Sequence, residues 1–126
     1  MAAGKYSFTI EQGATTQFQV VYKDVNGNPV NLTSYHARMQ IRETKAATAI
    51  ICSLSSSRDN DGTGLNLNGS SGTLPLASGS IGIYISAASS SNFDFDTGVY
   101  DLELVSGSFV TRLMQGTVRL DKEVTR

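Results

Sequence analysis

The sequence predicts an all-β fold, a sandwich of about seven to nine short strands with at most one short helix. Three observations carry that prediction. Apolar and polar residues alternate with a period of two, as in Tyr35, Ala37, Met39 and Ile41 against His36, Arg38, Gln40 and Arg42. Turn-forming Gly, Asn, Asp, Ser and Pro recur roughly every 8–12 residues. Strands do not alternate with helix-length amphipathic segments, so a doubly wound βαβ fold is not expected. A closed barrel uses the same alternation and is the competing architecture. At 126 residues the chain suits a single domain, residues 1–126, able to bury about two-thirds of its unfolded surface.

The elements follow in order. Tyr6, Phe8 and Ile10 alternate with Ser7, Thr9 and Glu11 in a half-buried first strand, and Gly13 ends it. Residues 15–24 form a second strand, with Phe18, Val20 and Tyr22 on one face. Asn26-Gly27 supplies the positive φ angles of a tight hairpin turn. After Pro29, Val30 and Leu32 lead into the alternating strand cited above. Residues 46–54 are ambiguous: the Ala-rich start suits a helical turn, whereas Ile50-Ile51-Cys52 with Leu54 favours a strand. Leu65 and Leu67 suggest a short strand, and Pro75 confines residues 73–76 to an edge or a loop. Ile81, Ile83 and Ile85 alternate with Gly82 and Tyr84, and residues 86–92 make a short helix or a crossing loop. Gly98 precedes the best strand, with Tyr100, Leu102 and Leu104 inward and Asp101 and Glu103 outward. Ser106-Gly107-Ser108 turns it into a last long strand, residues 109–120, in which Gly116 marks a bulge.

Composition narrows the functional classes. Ten basic against eleven acidic residues give a net charge of −1, with no surplus for neutralising phosphates, so no nucleic-acid partner is expected. No apolar run approaches the ~20 residues that span a bilayer, and no membrane partner is expected. The opening residues lack the apolar core of a secretory signal, so export by that route is not expected. Only 17% of residues are charged, while Ser, Thr, Gly and Asn make up 47 of the 126. Residues 62–93 hold no Asp, Glu, Lys or Arg. That stretch reads as a β-hairpin with long polar loops and as the place for protein-specific contacts.

No group of residues reads as a catalytic or cofactor site. His36, the single histidine, falls on the polar face of its strand with no nucleophile-elbow serine in the chain. One His and the lone Cys52 cannot supply a four-ligand zinc site, and Cys52 reads as a small buried hydrophobe. Asp59-Asn60-Asp61-Gly62 is the most metal-like cluster, with Asp94-Phe95-Asp96 as a second acidic pair that the fold could bring near it. Whether Asp59/Asp61 or Asp94/Asp96 take calcium is left open, since the order of ligands is not that of a known calcium loop and loops select Asp, Asn and Gly anyway. Gly62-Thr63-Gly64 has no following Lys to make a phosphate cradle. Asn31-Leu32-Thr33 and Asn68-Gly69-Ser70 match the glycosylation triplet but read as a turn and a loop. Arg38 and Arg42 share a face and could meet an acidic partner, or be simply solvated. No catalytic, cofactor-binding or metal residue is assigned, and the chain is expected to be no enzyme and to need no cofactor.

Two runs resemble a known family. Residues 8–42, FTIEQGATTQFQVVYKDVNGNPVNLTSYHARMQIR, carry "EQGAT", "KD.NG.P" and "LT.Y.ARMQIR". Residues 98–126, GVYDLELVSGSFVTRLMQGTVRLDKEVTR, carry "YDLEL", a short hairpin and a terminal "VTR". Together they resemble small structural proteins of tailed bacteriophages and are similar in outline to the N-terminal module of upper baseplate proteins. The chain departs from that pattern at Tyr22, where an aromatic, often Trp, is usual, at Asn31, where Asp is common, and at Lys122-Glu123, which lacks a frequent Pro. The resemblance implies an immunoglobulin-like antiparallel β-sandwich located in the virion, in the tail, baseplate or neck. It implies other virion proteins, and copies of the chain in a symmetric assembly, as partners, and it supplies no catalytic residues. Residues 1–5 and 121–126 are candidate docking arms. The alternative function is a glycan-binding or adhesive β-sandwich, for which Tyr84 is the one suggestive aromatic.

Overall fold

The computed structural model describes residues 4–124. Among the described residues nine strands form two sheets: β1 (Gly4–Lys5), β2 (Phe8–Glu11), β3 (Thr16–Val21), β4 (His36–Arg42), β5 (Cys52–Ser55), β6 (Gly64–Asn66), β7 (Ser80–Ile85), β8 (Thr97–Ser106) and β9 (Phe109–Asp121). A 3₁₀ turn at Leu76–Ser78 and one short helix, α1 (Ala87–Ser91), complete the elements. The larger sheet has the order β1-β9-β8-β4-β5, with β2 beside β1 on β9, and the smaller has the order β3-β7-β6. Among the described residues no ladder joins the two sheets, so the architecture is an all-β sandwich rather than a closed barrel.

The period-two pattern decides what each strand buries. β4 alternates exposed His36 and Arg38 with buried Ala37, Met39 and Ile41, and β8 does the same with Tyr100, Leu102 and Leu104 inward. From the opposite sheet Leu65, Ile81, Ile83 and Ile85 meet them, while Leu32, Phe93 and Phe95 join the same core. An aromatic group lies along one side, with the Phe8 ring 4.9 Å from Phe18 and 5.1 Å from Tyr100. Such pairs add about 0.5–1.5 kcal/mol beyond their area.

One edge differs from the antiparallel expectation. β1 and β2 pair with β9 in parallel, Gly4 opposite Met114 and Phe8 opposite Val118, in one unbroken register. Between them Tyr6 turns its carbonyl to the Tyr100 hydroxyl, which donates at 2.6 Å. Gly116 permits this approach, because a Cβ there would run into the Tyr6 carbonyl. Gly116 therefore is not a bulge: it pairs directly with Tyr100, and the register shift falls earlier, where Leu102–Glu103 faces Met114 and Arg112. Leu113 is the extra residue, and its side chain packs against the core.

The turn after β3 also differs in detail. Gly27 alone takes a positive φ, 83°, and Asn26 does not. Asp24 Oδ1 accepts from the amides of Asn26 and Asn28 at 2.9 and 3.0 Å, so the Asp24 carboxylate holds the loop. The strands beyond it meet only at Lys23 and Pro29, because the chain then crosses to β4 in the other sheet.

The described parts of the expected docking arms are tied down. Gly4 and Lys5 lie in β1, Asp121 ends β9, and the Glu123 amide donates to Gln12 Oε1 at 2.9 Å. Residues 1–3 and 125–126 lie outside the described residues.

Candidate functional site

The charged residues singled out in the sequence are largely matched within the chain. His36 is exposed on β4, opposite Val105. Arg38 pairs with Glu103 at 2.8 Å across the β4–β8 ladder. The Arg42 guanidinium donates to the carbonyls of Ala47 and Thr48, at 2.7 and 3.1 Å, and fastens the loop before β5. Such exposed pairs contribute at most about 1 kcal/mol each, so they orient side chains more than they stabilise.

The two acidic clusters do not converge. Asp94 and Asp96 face Lys122 at 3.9 and 3.3 Å. Asp61 instead accepts from the Ser86 hydroxyl at 2.6 Å and the Thr63 amide at 3.0 Å. Among the described residues no three His, Cys, Asp or Glu side chains come together around a cation-sized space.

The serine run at α1 forms a structural network. Ser86 caps the helix by accepting from the Ser89 amide at 3.0 Å, and its own amide donates to Thr63 Oγ1. Fully buried Ser90 accepts from the Gly13 amide at 3.0 Å and donates to the Ala14 carbonyl at 2.9 Å. This joins the turn between the sheets to α1 through neutral groups, which costs less desolvation than buried charge would.

The same network sets an acid-side titration. The Ser86 hydroxyl first, then the Thr63 amide, hold the Asp61 carboxyl down at about 2. An unfolded Asp titrates near 3.9. The contribution to stability is thus complete above about pH 4 and is lost as pH falls toward about 2. A carboxyl-detected NMR titration is expected to place the Asp61 midpoint at about 2, and Asp61→Asn to abolish that part of the acid-side loss. A midpoint near 3.9 in the folded protein would mean that the Ser86 contact is not kept in solution.

Cys52 packs partly against the core, and burial first, then Asp59, push its thiol up to about 11. The thiolate is the nucleophile, so a disulfide reagent at pH 8 is expected to react about a hundredfold more slowly with native than with urea-unfolded protein. Equal rates would contradict this burial.

A hollow of about 280 Å³ opens on the outer face of the smaller sheet, around Tyr84. Gln17, Tyr84 and Gly64 stand side by side across β3, β7 and β6. Gly64 has no side chain to fill the row, and Arg58 lies over it: a Cβ there would come within 2.7 Å of Arg58 Cγ. One position along, Gly82 lets the backbone of Ser70 settle on the strand, where a Cβ would lie 2.7 Å from Ser70 Cα. Gln19 Oε1 accepts from the Ser70 amide at 2.9 Å, and Gln17 Nε2 donates to its carbonyl at 3.3 Å. Much of the uncharged stretch is therefore explained by packing: Gly and Ser recur because one loop lies backbone-first on β7. Arg58, Asn66 and Gln17 were not linked to Tyr84 in the sequence, since they come from three separate segments.

Exposed apolar side chains lie elsewhere. Phe109 and Val110, 59% and 48% exposed, sit at the tip of the β8–β9 hairpin beyond Gly107. β3 is an open edge of the smaller sheet, with Val21 exposed at its end. No protein-family model matches the chain, and no curated protein matches its sequence.

Proposed function

We propose that the chain is a non-enzymatic structural protein of a tailed-bacteriophage particle, an immunoglobulin-like module in the tail, baseplate or neck. It works by contact with other virion proteins and with copies of itself in a symmetric assembly. The observation that carries this reading is the presence of an apolar hairpin tip, Phe109-Val110, and of a strand, β3, whose outer edge has no partner strand among the described residues. An unpaired edge invites a neighbour to add a strand, and exposed aromatic rings anchor protein contacts.

Two further features support it. The order β3-β7-β6 supports an immunoglobulin reading in which these strands would take the B, E and D positions, with β9, β8, β4 and β5 as G, F, C and C′. The residues behind the phage resemblance also serve the frame: the Asp24–Gly27 turn, the buried Ala37, Met39 and Ile41, and Tyr100 on the Tyr6 carbonyl.

Mass spectrometry and cryo-electron microscopy of purified particles carrying this gene are expected to find the sandwich at a fixed, symmetric copy number. Particles that assemble fully without the chain, together with a purified protein that stays monomeric at high concentration and binds no virion component, would overturn the proposal.

A further inference from the structure

We propose that the hollow around Tyr84 binds one neutral sugar ring. The site lies on the outer face of the smaller sheet, with Gln17 of the β3 edge among its lining residues. Its volume of about 280 Å³ lies just below the ~300 Å³ at which small-molecule pockets usually begin and suits a single pyranose unit with the rest of a glycan in solvent. A pyranose has an apolar C–H face and a rim of hydroxyls. It therefore calls for an aromatic ring beside hydrogen-bonding groups that are not already committed.

The hollow supplies both. The Tyr84 ring is half-exposed, backed on one side by Gly62, where a Cβ would meet it at 3.3 Å. Among the described residues the Arg58 guanidinium and the Tyr84 hydroxyl have no hydrogen-bond or ion-pair partner. Asn66 spends its Oδ1 on the Asn68 amide at 2.9 Å, which leaves Nδ2 to donate. Gln17, its Nε2 anchored to the Ser70 carbonyl, lines the hollow as well. Arg58, Asn66 and Tyr84 thus supply uncommitted donors, while Asp61 lines the hollow with a carboxylate that already accepts from Ser86, Ser89 and Thr63.

Charge selects among sugars. Arg58 and Asp61 line the same hollow with opposite signs, so a ligand carboxylate would gain one contact and be repelled at the other. A neutral ring escapes that repulsion, with its hydroxyls accepting from the Arg58 guanidinium. The shape comes from missing side chains: Gly64 makes room for the Arg58 stem and Gly82 for the Ser70 backbone. A side chain at either position would displace a wall.

The test is an amide-detected NMR titration of the purified protein with the methyl glycosides of glucose, galactose, mannose and N-acetylglucosamine, and with glucuronate. At least one neutral glycoside is expected to give saturable shifts at Gly62, Asn66, Ser70 and Tyr84, with a Kd on the order of millimolar. Tyr84→Ala and Arg58→Ala should each weaken it about tenfold, and Tyr84→Phe, which keeps the ring, should retain most of it. Arg58 is exposed, so its variant tests the site without loading the core. Three results would overturn the proposal: no saturable shift with any neutral glycoside, shifts that survive both alanine variants, or binding of glucuronate alone.

Discussion

Gly116→Ala is expected to lower the stability of the fold by about 3 kcal/mol, with a fall in Tm of roughly 10 °C. The added methyl has no space. It would overlap the Tyr6 carbonyl oxygen, lie 2.7 Å from the carbonyl carbon and press on the Tyr100 ring at 3.3 Å. The neighbour is backbone, so the whole β1–β2 edge must move out. That movement breaks the 2.6 Å hydrogen bond from Tyr100 and loosens the Tyr6, Phe8 and Phe18 rings. Tyr100→Phe removes the hydrogen bond alone and should cost about 1–2 kcal/mol. Because both changes act on the Tyr6 carbonyl, the double variant should cost less than their sum. A Gly116→Ala protein within about 0.5 kcal/mol of the parent in urea unfolding would show that the edge strand is not held against Gly116.

Ile83→Ala is expected to cost about 3 kcal/mol, within the range for deleting a buried Ile side chain. Ile83 has no exposed surface and lies in the middle strand of the smaller sheet, flanked by Phe18 on β3 and Leu65 on β6. The lost methyl groups leave a void that these neighbours, held by their ladders, can fill only in part. Ile83→Val should cost about 0.5–1.5 kcal/mol, and the urea m-value should not change in either variant. For a domain whose total stability is of order 5–15 kcal/mol, the alanine variant removes a large share. A loss below about 1 kcal/mol would mean that the smaller sheet contributes little to the cooperative unit.

Much of the frame was legible because it rests on local alternation. The faces of β4 and β8 follow directly from the residues at every second position, and residues 86–92, open between a short helix and a crossing loop, contain α1. Other readings failed where a distant segment decided the outcome. A glycine in a strand suggested a bulge at 116, but the bulge formed at Leu113, and Gly116 answers to Tyr6, more than a hundred residues away in the chain. Asn26-Gly27 promised two positive φ angles, yet the Asp24 carboxylate stabilises a turn that needs only one.

The uncharged residues 62–93, which stood apart from the start, show the same division. Alternation of Ile81, Ile83 and Ile85 was enough to predict a strand and its buried face. That the opposite face of β7 would also be covered, at Gly82, depends on the loop through Ser70 folding back, and no local pattern encodes it. The hollow beside Tyr84 is the consequence, assembled from β3, β6, β7 and the loop carrying Arg58. The sequence by itself determined which residues turn inward, because side-chain direction in a strand is a property of adjacent residues. Only the tertiary structure decided the parallel edge, the covered face and the site, because pairing partners are selected by contacts between segments far apart along the chain.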